Sequence, residues 1–177
     1  MYTPLTNLKN FSLWTESLQN LLNKQIAIEL HNFATYERLY CFFAHGSIGY
    51  PNLAAHFRHE ADEELKHARF LMDYQVQRGG EVDKLTIGTV DIKSLETSST
   101  KMVDAYKLVL ELEKATYVSL YEIHTESADP HFQDLLEDML GEQLEGQKKI
   151  NDTIQRLENG GSTAWYIHET IELKQDD

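Results

Sequence analysis

The 177-residue sequence has a single cysteine, Cys41, which excludes an intramolecular disulfide and any CxxC metal or redox motif. It has only three prolines and nine glycines, so long stretches are free to be helical. Basic residues are also few, with 16 Lys and Arg against 29 Asp and Glu, which gives a net charge of -13. Because phosphate binding needs a basic surface, nucleic acid is not expected as a partner.

Long apolar runs are missing as well. No window approaches the roughly 20 uninterrupted apolar residues that cross a bilayer, and residues 1–15 hold no apolar run of signal-peptide length. We therefore expect no membrane partner and a cytoplasmic location. The single cysteine fits a reducing compartment such as the cytoplasm. Cys41 itself is expected to be a small buried side chain near the end of the first helix.

The sequence does contain four apolar seams whose members alternate in steps of three and four, the spacing of one buried helix face. The seams are Leu22, Ile26, Glu29, Phe33, Tyr36, Tyr40; Leu53, Phe57, Glu60, Glu64, His67, Leu71, Tyr74; Met102, Tyr106, Val109, Glu113, Thr116, Leu120, Ile123; and Phe132, Leu136, Met139, Gln143, Gly146, Ile150, Thr153, Leu157. Each seam becomes polar near its middle. An unpaired buried charge costs several kcal/mol, so these polar groups need a common partner, and a metal ion is the obvious one.

Turn residues divide the chain into helices expected at about 12–44, 51–78, 95–127, 131–158 and 163–174. Short turns after the first and third helices predict two antiparallel hairpins. The middle connection, about 15 residues, is long enough when extended to run the length of a helix. We therefore predict one all-α domain over 1–177, a ferritin-like four-helix bundle with one long crossover and a short fifth C-terminal helix.

The second seam holds Glu64 and His67 as Glu-x-x-His, which places a carboxylate and an imidazole one turn apart. Di-iron carboxylate bundles use a single Glu from each of two helices and Glu-x-x-His from the other two. Glu29 and Glu113 supply the single carboxylates here. One ion would have Glu29, Glu64 and His67, an oxygen-rich set with one nitrogen that suits iron.

The fourth seam departs from this symmetry, since Gln143 stands where Glu would be and Gly146 where His would be. The second ion would share bridging Glu64, take Glu113, and have at best a weak carboxamide ligand from Gln143. A poorly held second ion is easily released after oxidation. A site that passes its product onward has that property, whereas a permanent cofactor site does not.

Four local motifs resemble those of the ferritin family. They are Gln25-Ile26-x-x-Glu29-Leu30 followed by Tyr36; Ala61-Asp62-Glu63-Glu64-Leu65-Lys66-His67-Ala68; Leu112-Glu113-Lys114 followed by Leu120-Tyr121-Glu122-Ile123-His124; and Gly141-Glu142-Gln143. The resemblance extends from about Leu13 to Leu173 and includes the short fifth helix. It implies an iron-storage protein with a ferroxidase centre inside each subunit, assembled as a homo-oligomeric hollow shell of 24 subunits.

Carried over residue by residue, Glu29, Glu64 and His67 resemble the first ferroxidase iron site. Glu64 and Glu113 resemble the second, with Gln143 beside it. Tyr36 resembles the ferritin tyrosine that donates an electron during oxygen reduction. The alternative for Tyr36 is an ordinary buried tyrosine hydrogen-bonded to a glutamate.

A possible third iron site is implied by Glu63, Glu142 and Glu145, although Gly146 replaces a further carboxylate often found there. Glu60, one turn before Glu64, would bind iron in transit between these sites. The alternative is that all four carboxylates form a solvated acidic face.

Asp134 and Glu137 follow an Asp-Pro-His turn that resembles the threefold iron-entry funnel of animal ferritins. The spacing from Asp134 to Glu142 is one residue shorter than in that pattern, so the match in register is not fixed. A solvated helix start, where acidic residues favour the positive end of the dipole, explains both residues nearly as well. The remaining histidines have no partners at ligand spacing and are interpreted as surface or structural. They include His56, His59, His124 and His168.

The resemblance implies oxidation of two Fe(II) by O2 or peroxide and storage of the ferric product as mineral. No haem is expected, because no seam methionine is evident as a haem ligand. Two alternatives stay open: a non-catalytic shell subunit, and a di-metal oxidase that uses manganese or acts on an organic substrate. The intact ligand set disfavours the first, and the lack of a second Glu-x-x-His disfavours the second.

Overall fold

Four long helices contain most of residues 13–173, the part of the chain that the computed structural model describes. The elements are α1 (Glu16–Ala44), α2 (Pro51–Gln77), a short α3 (Lys93–Thr97), α4 (Lys101–Glu126), α5 (Pro130–Ile167) and a π-helical turn (His168–Glu172). No strand occurs within this range. The predicted all-α bundle is therefore confirmed.

The long helices pack as two pairs, α1 along α2 and α4 along α5, and α1 also contacts α4. Their apolar faces form two separate clusters. The Phe57 cluster includes Tyr36, Leu39, Phe43, Phe57, Met102, Tyr106 and Leu157, and the Phe132 cluster includes Trp14, Leu22, Ile26, Leu71, Leu120, Phe132 and Leu136. The polar positions of the four seams fall between the two clusters, so the bundle holds a polar layer at mid-height.

The crossover between α2 and α3 is extended and runs along α1. Side chains of α1 bind its backbone in ascending order: Gln19 to Glu81 N at 2.9 Å, Asn23 to Asp83 N at 3.0 Å, Thr35 to Val90 N at 3.3 Å, and Arg38 to Val90 O at 3.0 Å. Because these bonds satisfy backbone groups that lack a helical partner, α1 directs the chain from one end of the bundle to the other.

The helix predicted at 95–127 is broken, since α3 ends at Thr97 and α4 begins at Lys101. At the break, Thr100 N donates to Ser98 Oγ at 2.9 Å, and Ser98 Oγ donates to Asp104 Oδ2 at 2.5 Å. Serine and threonine side chains compete in this way with helical backbone bonds. The first helix begins at Glu16 rather than at residue 12, which lies outside the described residues, and Thr15 Oγ1 caps it by accepting from Leu18 N at 3.1 Å.

At the boundary predicted at 159–161, α5 consists of two helices joined across a kink at Gly161. Gly161 has φ 56° and ψ -144°, a left-handed conformation that favours glycine. A Cβ added at Gly160 would lie 2.4 Å from the Ala164 side chain, so the bend needs both glycines. Beyond it, Trp165 Nε1 donates to Leu157 O at 3.2 Å, and the chain folds back against the end of the bundle.

The π-helical turn closes this end by capping α2. Tyr50, which precedes α2, makes no side-chain cap. Instead the Glu169 carboxylate accepts from Asn52 N and Leu53 N, both at 2.8 Å, which satisfies two free N–H groups at the positive end of the helix dipole.

The prediction for Cys41 is wrong, because its side chain is exposed. Leu39 and Phe43, two residues to either side, point into the core, and a residue midway between them on a helix faces away. Among the described residues, no helix combines the length and apolar content needed to cross a membrane.

Candidate metal centre

The polar layer between the two apolar clusters contains one buried group from each long helix. Glu29 of α1 is 0% exposed, Glu64 of α2 is 4%, Glu113 of α4 is 7% and Gln143 of α5 is 8%. Carboxylates are almost never buried this deeply unless a partner compensates their charge. The four seams therefore bring the predicted polar residues to one place.

The α1–α2 half of the layer consists of Glu29, Glu64 and His67. One ligand atom from each lies within 4.8 Å of the others, close enough to hold one metal ion. Gln25, one turn before Glu29, donates from Nε2 to Glu29 Oε1 at 2.6 Å and so fixes the orientation of that carboxylate. The sequence prediction did not include Gln25 as a residue acting on the site.

The α4–α5 half of the layer consists of Glu113 and Gln143. Tyr36 extends from α1 and donates a short hydrogen bond to Glu113 Oε1. This half therefore offers one carboxylate, already bound by a phenol, and one carboxamide. The two halves are chemically unequal, as the sequence indicated.

Burial and mutual repulsion dominate the electrostatics of the layer. The pKa of Glu64 is raised well above its usual value, first by burial and then by the charge of Glu29. Burial also raises the pKa of Glu113, although hydrogen bonds from Tyr36 and Gln143 oppose the rise. Glu60, on the same face of α2, has its pKa raised to about 7 by burial and by Glu113. Several carboxylates so close together require either protons or a cation.

Several polar atoms of the layer have no hydrogen-bond partner in the described part of the chain, and their chemistry indicates whether a metal ion fits between them. Buried atoms that find no hydrogen-bond partner among the described residues include Glu29 Oε2, Glu64 Oε2, His67 Nδ1 and Gln143 Oε1. Leaving such atoms unpaired costs about 1–3 kcal/mol each. Oxygen and imidazole donors are the ligands that iron prefers, so the residues fit an iron ion.

A cavity of about 680 Å³ adjoins the layer. Residues from α2, α4, α5 and the π-helical turn line it, with Glu64, His67, Glu113 and Gln143 at the layer and Tyr106, His168 and Glu172 beyond it. The cavity provides room for small reactants next to the candidate ligands and connects them with the C-terminal turn.

The four carboxylates of the possible third site do not lie together in the same way. Glu60, Glu63 and Glu142 line the cavity, whereas Glu145 is exposed and is not among its lining residues. Glu63 is 2.5 Å from Lys66 Nζ, and Glu142 lies 3.7 Å from His67 Nε2. The structure thus places three of the four next to the centre and leaves Glu145 on the surface.

The two residues of the possible entry funnel, Asp134 and Glu137, are exposed on α5 and do not line the cavity. Glu137 Oε1 is 3.3 Å from His124 Nε2, so that histidine has an acidic neighbour that its sequence context did not indicate. Asp134 and Glu137 lie in the first turns of the helix, where their negative charge favours the dipole.

Sequence reasoning missed the polar group beyond the layer, which consists of Tyr106, His168 and Glu172. His168 is buried, and its two ring nitrogens lie 2.7 Å from Tyr106 Oη and from Glu172 Oε2. The one pattern that pointed to it is the spacing of four between His168 and Glu172, which places both on one side of a helical turn.

Carboxylates and an imidazole that converge from packed helices define a ferritin-like helical bundle with a candidate metal site in its core. The sequence profile of the Ferritin family, described as a ferritin-like domain, matches residues 19–159. The chain belongs to the ferritin family.

Individual relatives agree with this assignment. The chain is 34% identical over 145 residues to "Ferritin, middle subunit" of Aquarana catesbeiana, a match that covers 79% of this chain and 80% of the relative. It is 32% identical over 164 residues to "Ferritin-1, chloroplastic" of Brassica napus, covering 89% of this chain and 65% of that protein. It is 30% identical to "Ferritin-3, chloroplastic" of Glycine max, covering 89% of this chain and 64% of that protein. The chain thus spans slightly less than two thirds of the length of these chloroplastic relatives.

Proposed function

We propose that this protein stores iron, and that it oxidises Fe(II) with O2 or peroxide at a di-iron centre within each subunit before depositing the ferric product as mineral inside a shell. The observation that carries the proposal is the buried layer of unpartnered ligand atoms on Glu29, Glu64, His67 and Gln143. Iron is the substrate of this centre rather than a resident cofactor.

Binding of the first Fe(II) is assigned to Glu29, Glu64 and His67. Burial and the charge of Glu29 raise the pKa of Glu64, so its carboxylate is costly to ionise without a cation beside it. Because a metal ion binds the deprotonated carboxylate, iron binding and ionisation of this ligand favour each other. The bound cation then balances the negative charges of the buried carboxylates, which would otherwise be costly inside the protein.

Binding of the second Fe(II) is assigned to Glu64 as a bridge, to Glu113 and weakly to Gln143. Two Fe(II) on a shared carboxylate are near enough to give electrons to one oxidant. Tyr36, whose phenol donates to Glu113, supplies a further electron while its proton passes to that carboxylate. Since the carboxamide of Gln143 is a weak ligand, the second ferric ion leaves the site readily.

The shell is proposed to contain 24 copies of this chain, as its family resemblance implies. Large apolar side chains that a single chain leaves exposed are available for contacts between subunits; they include Val118, Tyr121, Leu144, Tyr166 and Ile171. The native mass, measured by light scattering, tests the subunit number directly.

The ferroxidase proposal is tested by stopped-flow absorbance of iron-free protein mixed with increasing Fe(II) in air-saturated buffer. We expect a rapid phase that saturates near two irons per subunit. Slow oxidation that does not saturate and matches buffer alone would contradict the catalytic centre. If the assembled shell still retained ferric mineral, its subunits would store iron without oxidising it.

A further inference from the structure

A second buried tyrosine lies beyond the polar layer. Tyr106 is 3% exposed, stands on α4 about two turns before Glu113, and lines the same cavity as Glu64 and Glu113. Its hydroxyl contacts His168, which is 5% exposed. The proposed iron chemistry assigns no task to either residue.

The hydrogen bonds around Tyr106 have a defined direction. Glu172 Oε2 is 2.7 Å from His168 Nδ1 and 3.5 Å from Arg156 Nη2, and a carboxylate paired with a guanidinium only accepts. His168 Nδ1 therefore carries the hydrogen. Its Nε2 is left to accept from Tyr106 Oη at 2.7 Å.

This arrangement gives Tyr106 a base at hydrogen-bond distance. Burial raises the pKa of the Tyr106 phenol, which stays neutral and cannot lose its proton to solvent. It can lose that proton to His168, whose imidazolium is then stabilised by Glu172. A buried phenol with an adjacent imidazole and carboxylate is equipped to lose an electron and a proton together.

A row of aromatic rings connects Tyr106 with Tyr36. The ring centroids of Tyr36 and Phe57 are 6.1 Å apart, and those of Phe57 and Tyr106 are 5.8 Å apart. The Tyr106 and His168 rings follow at 5.4 Å. All four side chains are buried and line the cavity, so the path between the two phenols follows the cavity wall.

We propose that Tyr106 is a second redox-active residue, which gives an electron to oxidised Tyr36 through Phe57 while His168 accepts its proton. The inference rests on the proposed ferroxidase function, because O2 or peroxide reduced at the iron centre is the oxidant that removes the first electron from Tyr36.

The transfer balances in electrons and protons. When Tyr36 is oxidised, it and one Fe(II) each give one electron to peroxide, which takes up two protons and leaves as two molecules of water, while the phenolic proton of Tyr36 passes to Glu113. Tyr106 then breaks its O–H bond, passes one electron to the Tyr36 radical and its proton to His168 Nε2, while Glu113 returns a proton to Tyr36. The products are intact Tyr36, a neutral Tyr106 radical and a protonated His168. A later Fe(II) reduces Tyr106 and becomes Fe(III), and His168 gives the proton back.

The result is to move an oxidising equivalent away from the ligands. A single Fe(II) supplies only one of the two electrons that peroxide needs, so when Fe(II) is limiting the second electron comes from a nearby side chain. With Tyr106 as the final donor, the oxidising equivalent is held as a radical on a hydrogen-bonded phenol until another Fe(II) reduces it.

The test is freeze-quench electron paramagnetic resonance after iron-free protein is mixed with limiting Fe(II) and peroxide, with stopped-flow oxidation measured on the same samples. We expect a late tyrosyl radical on Tyr106, and in Tyr106→Phe and His168→Gln that component should fall by at least about 80% while a radical on Tyr36 takes its place. The matched control is Tyr74→Phe, which removes a buried phenol at the other end of the bundle and should leave the signal unchanged.

A measurement on the unmodified protein makes the test independent of how the variants fold. With isotopically labelled histidine nitrogens, the late radical should show hyperfine coupling to an imidazole, which Tyr106 has as its hydrogen-bond partner and Tyr36 does not. Fast iron oxidation with no imidazole-coupled radical overturns the inference alone. Absence of fast iron oxidation overturns both the inference and the ferroxidase proposal.

Discussion

The two halves of the polar layer differ in how completely they surround a metal ion. The α1–α2 half has two carboxylates and an imidazole whose ligand atoms lie within 4.8 Å of one another. The α4–α5 half has Glu113, whose carboxylate already accepts from Tyr36, and the neutral Gln143. The carboxylates and the carboxamide are buried to a similar degree in both halves, whereas the His67 side chain is 26% exposed, so the main difference is one of ligand chemistry. A pair of unequal sites suits an ion that is held and an ion that is released.

The largest effect is expected from breaking the stronger half. Glu64→Ala removes the carboxylate shared by both ions, and we expect the rapid oxidation phase to fall by more than about 100-fold while the shell still assembles. Stopped-flow absorbance and native mass measure the two outcomes. Glu145→Ala is the matched control, since it shortens an exposed glutamate. Rapid oxidation retained in assembled Glu64→Ala protein would contradict the assigned site.

A second experiment gives the α4–α5 half of the polar layer the same ligand types as the α1–α2 half. Gln143→Glu combined with Gly146→His completes a second Glu-x-x-His, and a Cβ at Gly146 meets nothing within 4 Å. We expect the second ion to bind more tightly, and repeated turnover to slow by about tenfold because the ferric product is retained. Metal titration under anaerobic conditions and multi-turnover oxidation measure both effects.

The control for this pair is Gly146→Ala, which adds helix propensity without adding a ligand. Turnover unchanged in the double variant, despite tighter binding of the second ion, would show that product release does not depend on Gln143.

A smaller effect concerns Glu60, which lies on α2 but is influenced by Glu113 of the other half. Its pKa is raised to about 7, so between about pH 5 and 7 the folded protein binds a proton that the unfolded chain has lost. Stability of the iron-free protein from this group is therefore present at low pH and is lost as pH rises through 7. The Glu60 side chain is 37% exposed, which reduces the effect to about 1 kcal/mol.

Glu60→Gln should remove this loss of stability. The iron-free variant should exceed the unmodified protein in free energy of unfolding at pH 8, and the difference should vanish near pH 5. Chemical denaturation at the two pH values measures it. A variant that is less stable at both would show that His56, whose Nδ1 lies 3.7 Å from Glu60 Oε1, compensates the carboxylate.

The smallest effect is expected outside the layer. Glu145→Ala should leave the initial burst within about twofold, because Glu145 is exposed and does not line the cavity. Any change should fall on turnover after the first two irons, measured by sequential Fe(II) additions. An unchanged later phase would assign Glu145 to the solvated surface.

Most of the helical core could be predicted from periodicity. All seven members of the α4 seam are buried, from Met102 to Ile123. The α1 seam drifts, since Leu39 and Phe43 are buried whereas the predicted Phe33 and Tyr40 are half-buried. A straight helix has 3.6 residues per turn, so steps that average 3.5 move off the buried face after a few turns.

The ligand layer was predictable because burial makes a carboxylate conspicuous in an apolar seam. The relay of Tyr106, His168 and Glu172 was not, because its geometry depends on the bend at Gly161 and on the π-helical turn. Neither feature has a periodic pattern, and each arises from packing of the chain against the end of the bundle. The cap that Glu169 provides to α2 is hidden from sequence for the same reason.

That cap joins Asn52 to Glu169, which lie 117 positions apart in the chain. A contact of such sequence separation forms only after the loop between its ends has closed. During synthesis the first turn of α2 emerges long before Glu169 does, and its N–H groups remain bound to water until Glu169 has followed. A residue made 117 positions later thus completes the first turn of α2.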